Sequence, residues 1–148
     1  MTKMNSKLLV TLIVGASLGA AIPAAAQNSD AAFKKTTSLI ADELTMTPAS
    51  TVGNCYFATG AAMSVLKDSP QFDEKMQMIF GMQLVVWADV KSRKEANGVV
   101  VDSSLAAKMN VPGANSKEIA NEIVSESTAC TQLFGAAMQA TAAKLKSQ

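Results

Sequence analysis

The chain has 148 residues and an almost even balance of charge, with 13 Lys and Arg against 12 Asp and Glu. This balance argues against a nucleic-acid-binding protein, which would carry a basic stripe, and against strong attraction to anionic lipid. The chain has no histidine, which excludes catalysis by a histidine base and the binding of zinc or haem through histidine.

The N-terminal segment has the pattern of a cleavable export signal. Lys3 and Lys7 supply its positive start, and the apolar run over 8–18 is shorter than the about 20 residues that cross a bilayer. Three small residues end the segment and fit cleavage after Ala26. We therefore expect residues 1–26 to be removed, which leaves a periplasmic or secreted protein without a membrane span. The alternative, a retained membrane anchor, is disfavoured because the apolar run is short.

The mature chain predicted by this cleavage has 11 basic and 12 acidic residues, because the signal contains two lysines and no acid. A chain of this size suits one domain, which we place at residues 27–148. It can bury about two thirds of its unfolded surface and needs no metal to fold.

Apolar residues recur at helical spacing along most of the mature chain. They predict an all-α fold, a bundle of four main helices with a short fifth. The helices are expected, in chain order, over about 30–44, 51–67, 70–96 and 103–110 and from 116 onward, with residues 140–148 frayed. The second helix is rich in small residues around Gly60, which would let a neighbouring helix approach closely.

Local signals at three positions mark where helices begin and end. Ser69 and Pro70 have the residue types of an N-cap and a first helical residue, so the third helix is expected to begin there. Asn97 and Gly98 are expected to end that helix. Asn115 is a good cap for the last helix.

The third predicted helix is apolar on two sides in its middle. Such a helix must be covered on both sides. Either it is the central helix of the bundle, or its second stripe faces a partner. For the second case the predicted contact residues are Met78, Met82 and Val85.

Two cysteines, Cys55 and Cys130, lie in the predicted mature chain. An even number of cysteines in an exported chain favours a disulfide, and only one pairing within the chain is possible. Closing so long a loop would stabilise the fold by about 4 kcal/mol in the chain-entropy model. The alternative is two buried free thiols.

No set of residues in the sequence has the pattern of a catalytic site. Glu118, Glu122 and Glu126 recur at one-turn spacing, but an exposed acidic row near a helix N-terminus explains them. Met76, Met78 and Met82 could offer thioether ligands to Cu(I), but their apolar helix favours core packing. No cofactor and no metal are therefore predicted.

The function predicted from the sequence is that of a non-enzymatic protein-binding module. Its partner would be another exported or envelope protein, because the predicted chain itself is exported. The alternative is a carrier that holds a small apolar ligand or Cu(I) within the helical bundle.

Overall fold

The structure, a computed structural model, describes residues 29–148. In this part of the chain it contains five helices and no strand, which confirms the predicted all-α fold. The helices, numbered in chain order, are α1 (Ser29–Glu43), α2 (Ala49–Leu66), α3 (Glu74–Ala96), α4 (Ser104–Met109) and α5 (Ser116–Lys146). None of these helices is both long and apolar enough to cross a membrane. The predicted export signal lies outside the described residues.

The four long helices pack in a closed arrangement. α1 and α2 each contact both α3 and α5, and the short α4 lies against α2 and α5. α3 therefore has a helix on each of two sides. This arrangement explains why α3 is apolar on more than one face. Phe80 and Met82, two residues apart and so on different faces of α3, are both almost fully buried and belong to different clusters of buried side chains.

Two clusters of buried apolar side chains show how α2 and α5 run. α2 contributes Val52, near its start, to the first cluster and Ala62, near its end, to the second. α5 contributes in the opposite order, with the earlier Ile123 in the second cluster and the later Phe134 in the first. The two helices are therefore antiparallel.

The predicted disulfide is present and joins α2 to α5. The Cα atoms of Cys55 and Cys130 are 5.5 Å apart, and the bond closes a sequence separation of 75 residues. Both side chains are fully buried and belong to the first cluster. The bond therefore holds the two antiparallel helices together inside the bundle and not at its surface.

The start of α3 differs from the prediction. Ser69 and Pro70 form a turn, in which the carbonyl oxygen of Ser69 accepts a hydrogen bond from the backbone N–H of Phe72 at 3.0 Å. Proline is common at the second position of such a turn as well as at the first position of a helix. The turn buries Phe72 in the second cluster, and Asp73 then caps α3.

The end of α5 also differs from the prediction, since it is helical to Lys146 and not frayed. Thr141 is only 5% exposed, and its hydroxyl lies 3.4 Å from the carbonyl oxygen of Leu39. Lys144 forms an ion pair with Glu43. These contacts with α1 hold a segment that its Ala-rich sequence alone would leave unattached.

Arg93 connects α3 to α1. Its guanidinium donates hydrogen bonds to Asp89 at 3.0 Å and to the hydroxyl of Ser38 at 2.9 Å, and it also contacts Asp42. The hydrogen bonds with Asp89 and then Asp42 raise the pKa of Arg93. The tether lies at the protein surface, where ion pairs contribute little to stability, so its main effect is to orient α1.

The loop before α4 lies against α2 at Gly53. A Cβ atom at this position would be 2.1 Å from the carbonyl oxygen of Asp102, so only glycine fits there. The next residue, Asn54, accepts a hydrogen bond from the hydroxyl of Ser103 at 2.9 Å and donates one to Ser104 at 3.1 Å. Ser103 is also the N-cap of α4. Two neighbouring residues of α2 therefore fix where α4 begins.

Gly60, which the sequence suggested as the point of close approach, does not have that role. A Cβ atom there would lie 3.7 Å from the nearest neighbouring atom, Leu84 Cδ1, which is ordinary van der Waals contact. The close approach on α2 is at Gly53.

We expect opposite effects from the same substitution at these two glycines. Gly60→Ala should raise the free energy of unfolding by about 0.5–1 kcal/mol, because alanine is the better helix former. Gly53→Ala should lower it by about 1–3 kcal/mol, because the loop must move away from α2. Urea denaturation of both variants tests this, and equal effects at the two positions would contradict it.

Removal of the disulfide should lower stability substantially. Cys55→Ala/Cys130→Ala should lose up to about 4 kcal/mol of unfolding free energy, because the unfolded chain gains freedom. Reduction of the unchanged protein should have a comparable effect in the same denaturation assay. A midpoint that does not respond to reductant would contradict the structural role of the bond.

Candidate binding groove

An apolar groove opens on one side of the bundle, with a volume of about 510 Å³. It is formed by α2, α3, α4 and α5 together. The groove is defined here by its lining residues, which are Tyr56, Phe57, Gly60, Ala61, Ser64, Val65, Leu84, Met109 and Ile123.

α2 supplies most of the groove. Its lining residues occur in pairs one turn apart, from Tyr56 to Val65, so they follow one face of the helix. At 1.5 Å per residue this face is about 14 Å long. The residues in its middle, Gly60, Ala61 and Ser64, have small side chains, so the floor of the groove is low between its ends.

The rim of the groove carries large apolar side chains that remain partly in water. Tyr56 is 39% exposed, Val65 is 52% exposed and Met109 is 49% exposed. Single exposed apolar side chains are ordinary, but three that line one concave surface are not scattered. Their shared concave surface makes the groove a candidate site for apolar contact.

The position of Met109 depends on the contacts of α2 with the start of α4. Asn54 binds the first residues of α4, and the six-residue helix then places Met109 at its last position. Lys108 forms an ion pair with Glu122 of α5 at 2.8 Å. α4 is thus held at both ends, and it forms one wall of the groove.

Two cations beside the groove are already paired. Lys91 lies 5.8 Å from the centre of the Tyr56 ring, but its ammonium also forms an ion pair with Glu95. Lys108, next to Met109, is paired with Glu122. These two cations therefore offer no uncompensated charge, and binding in the groove would depend on apolar contact.

The predicted partner surface on α3 does not fit the observed burial. Met78 is 5% exposed and Met82 is 1% exposed, and both pack in the first buried cluster. Val85 alone of the three is accessible, at 43%. The methionines are buried because α3 has helices on two sides, so in this conformation they cannot contact a partner.

The predicted row of acids on α5 divides into two environments. Glu118 and Glu122 are exposed, as expected of an acidic stripe. Glu126 is half-buried, and a carboxylate oxygen of Glu126 lies within 4.8 Å of the sulfur atoms of Cys55 and Cys130. These three residues are the metal-compatible set found in the described part of the chain.

Comparisons with protein-family models, with curated proteins and with solved structures gave no match.

The sequence did not predict the groove, although it did show the small residues that form the floor of the groove on α2. The small residues of α2 around Gly60 suggested a close helix contact, and the structure instead leaves this face partly open. Met109 and Ile123 could not have been added, because nothing local in the sequence shows that α4 and α5 lie beside α2.

A matched pair of substitutions on α3 tests the burial. Met82→Asp should destabilise the fold severely, by more than about 3 kcal/mol, because it places an unpaired charge in the core. Val85→Asp should change the unfolding free energy by less than about 0.5 kcal/mol, as is usual at exposed positions. Thermal denaturation followed by circular dichroism distinguishes them, and a stable Met82→Asp variant would contradict the packing.

Proposed function

We propose that this chain is an exported, non-enzymatic protein that binds a helix of another exported or envelope protein in the groove. The observation that carries the proposal is the concave apolar surface whose rim residues, Tyr56, Val65 and Met109, are each more than a third exposed. Partners that lay an amphipathic helix in such a groove are recognised through apolar anchors at i, i+4 and i+7.

The dimensions of the groove suit one helix. Its α2 face is about 14 Å long, and anchors at i and i+7 are separated by about 10.5 Å along a helix axis. The small side chains of Gly60, Ala61 and Ser64 leave room for the side chains of the partner's helix. The larger Tyr56 and Val65 stand at the two ends of this space.

The exposed area argues against a second copy of this chain as the permanent occupant. A stable interface buries about 800 Å² per partner, and a large aromatic side chain buries about 150–250 Å² when fully covered. Three rim residues that are only partly exposed supply well under half of that area. The groove therefore suits a short segment of a partner and a reversible complex.

Two observations support the exported location. The sequence begins with the pattern of an export signal, and the described residues contain a buried disulfide. Disulfides of this kind persist in oxidising compartments and are rare in the cytosol. A periplasmic or secreted location agrees with both.

The non-enzymatic part of the proposal is supported by what surrounds the acidic residues. Asp42, Glu43 and Asp89 are in ion pairs with Arg93 or Lys144, and Asp73 caps α3. The chain has no histidine that could act as a base beside them.

A matched pair of valine substitutions tests the groove. Amphipathic helical peptides selected from a displayed library for binding to the unchanged protein should carry anchors at i, i+4 and i+7. Their affinity should fall at least about tenfold for Val65→Lys, because a charge is then placed against apolar anchors. Val100→Lys should bind normally, because Val100 is 74% exposed and does not line the groove.

Equal binding by the Val65→Lys and Val100→Lys variants would overturn the proposal, as would selected peptides without helical anchor spacing. Circular dichroism of both variants is the control for folding.

A small apolar ligand is the second candidate occupant. The volume of about 510 Å³ lies within the range of about 300–1,000 Å³ that small-molecule sites occupy. Native mass spectrometry of protein purified from its host would show a bound mass that Val65→Lys loses. A Cu(I) carrier has less support, because Met78 and Met82 pack among apolar side chains in the core.

A further inference from the structure

Glu126 lies beside the disulfide. It lies one turn before Cys130 on α5, and its carboxylate is within 4.8 Å of both sulfur atoms. In residues 29–148 no hydrogen bond or ion pair is found for it, whereas Glu122, one turn earlier, is paired with Lys108. A carboxylate that is not engaged by another side chain and lies beside two sulfur atoms can serve as a ligand for a cation.

We propose that the reduced protein binds one Zn²⁺ ion through the thiolates of Cys55 and Cys130 and the carboxylate of Glu126. Thiolate and carboxylate are both zinc ligands, with Zn–S distances of about 2.3 Å and Zn–O distances of about 2.0–2.2 Å. The carboxylate makes the set better suited to Zn²⁺ than to Cu(I), which prefers sulfur ligands alone. The fourth position of the tetrahedron is left for water.

The distances allow this site with small movements. Two thiolates on one tetrahedral zinc ion lie about 3.7 Å apart, and all three donor atoms already lie within 4.8 Å of one another. After the sulfur–sulfur bond is broken, rotation of the two cysteine side chains can separate the sulfurs. The carboxylate is on the accessible side, since Glu126 is half-buried while both cysteines are fully buried.

Noncovalent contacts, as well as the disulfide, hold the helices that carry the three ligands. Val52 and Phe134, each within one turn of a cysteine, are almost completely buried in the first cluster. Gln83 of α3 also donates a hydrogen bond to Thr131 of α5 at 3.0 Å. The two apolar side chains belong to one cluster shared by α2 and α5, and the hydrogen bond joins α5 to α3, which also packs against α2. These contacts oppose separation of α2 and α5 after reduction.

The chemistry balances with a dithiol as reductant. The dithiol gives two electrons and two protons to the disulfide and becomes a disulfide itself, while Cys55 and Cys130 become thiols. Binding of Zn²⁺ then releases one proton from each thiol. Because the same two sulfurs form either the disulfide or the metal bonds, the oxidised and the zinc-bound forms exclude each other.

Cobalt(II) is a suitable probe, because its thiolate complexes absorb in the near ultraviolet and visible. The whole protein is reduced with a phosphine, and the phosphine is then removed under anaerobic conditions. The reduced protein is titrated with Co²⁺. We expect a thiolate-to-cobalt band that saturates at one ion per chain and is displaced by Zn²⁺. The oxidised protein should show no such band.

Two glutamate variants assign the third ligand. Glu126→Gln should weaken binding at least about tenfold, because even groups outside the ligand shell are worth 10–100-fold in metal affinity. Glu122→Gln, on the same helix, should bind as the unchanged protein does. Equal affinities for the two variants would overturn the assignment of Glu126, and the absence of a thiolate band in the reduced protein would overturn the site.

Circular dichroism of the reduced protein keeps the test decisive. If reduction unfolds the chain, refolding on addition of Zn²⁺ supports the site, since metal binding is then coupled to folding. Failure of Zn²⁺ to restore the helical signal would overturn it.

Discussion

The covalent bond between α2 and α5 is the strongest single constraint on the helix bundle. Cys55 and Cys130 are fully buried in the first cluster. From the bond, the later part of α2 and the earlier part of α5 both extend to the second cluster, at Ala62 and Ile123. The bond therefore sets the register of two antiparallel helices. α1 and α3 then pack against this pair, and the partly buried hydrogen bond between Gln83 and Thr131 links α3 to α5.

The groove is a consequence of the same arrangement. On α2, the side that faces away from the disulfide is lined in its middle by small residues, so α3 and α4 stand as walls on either side of a low floor. The bond itself does not touch the groove, but it holds the floor against α5, which contributes Ile123. The chemistry of the groove is thus simple apolar contact, while its shape depends on four helices that are distant in sequence.

What the sequence could predict was local. Asn97 with Gly98 at the end of α3, and Asn115 at the start of α5, were recognised because their effect is limited to the neighbouring turn. Ser69 and Pro70 gave a wrong prediction for the start of α3, because the same two residues suit both a turn and a helix start. The burial of Phe72 favours the turn. The disulfide was predictable because only one pairing exists.

What the sequence could not predict depends on neighbours in space. Gly53 and Gly60 lie on the same helix and differ only in what approaches them, which is backbone at the first and the end of a side chain at the second. The exposure of α3 was misjudged for the same reason. Met82 and Val85 are both apolar and close in sequence, but only the packing of other helices shows that one is covered and the other is not.

All residues that line the groove lie between the two cysteines in the sequence. When the protein is pulled from its ends, the tension passes from residue 55 to residue 130 through the sulfur–sulfur bond and bypasses the 74 residues between them. A pulling force on the two ends therefore extends only the segments before residue 55 and after residue 130. The same holds when the chain is drawn through a narrow pore from either terminus. The part of the chain that forms the groove is mechanically isolated for as long as the bond is intact.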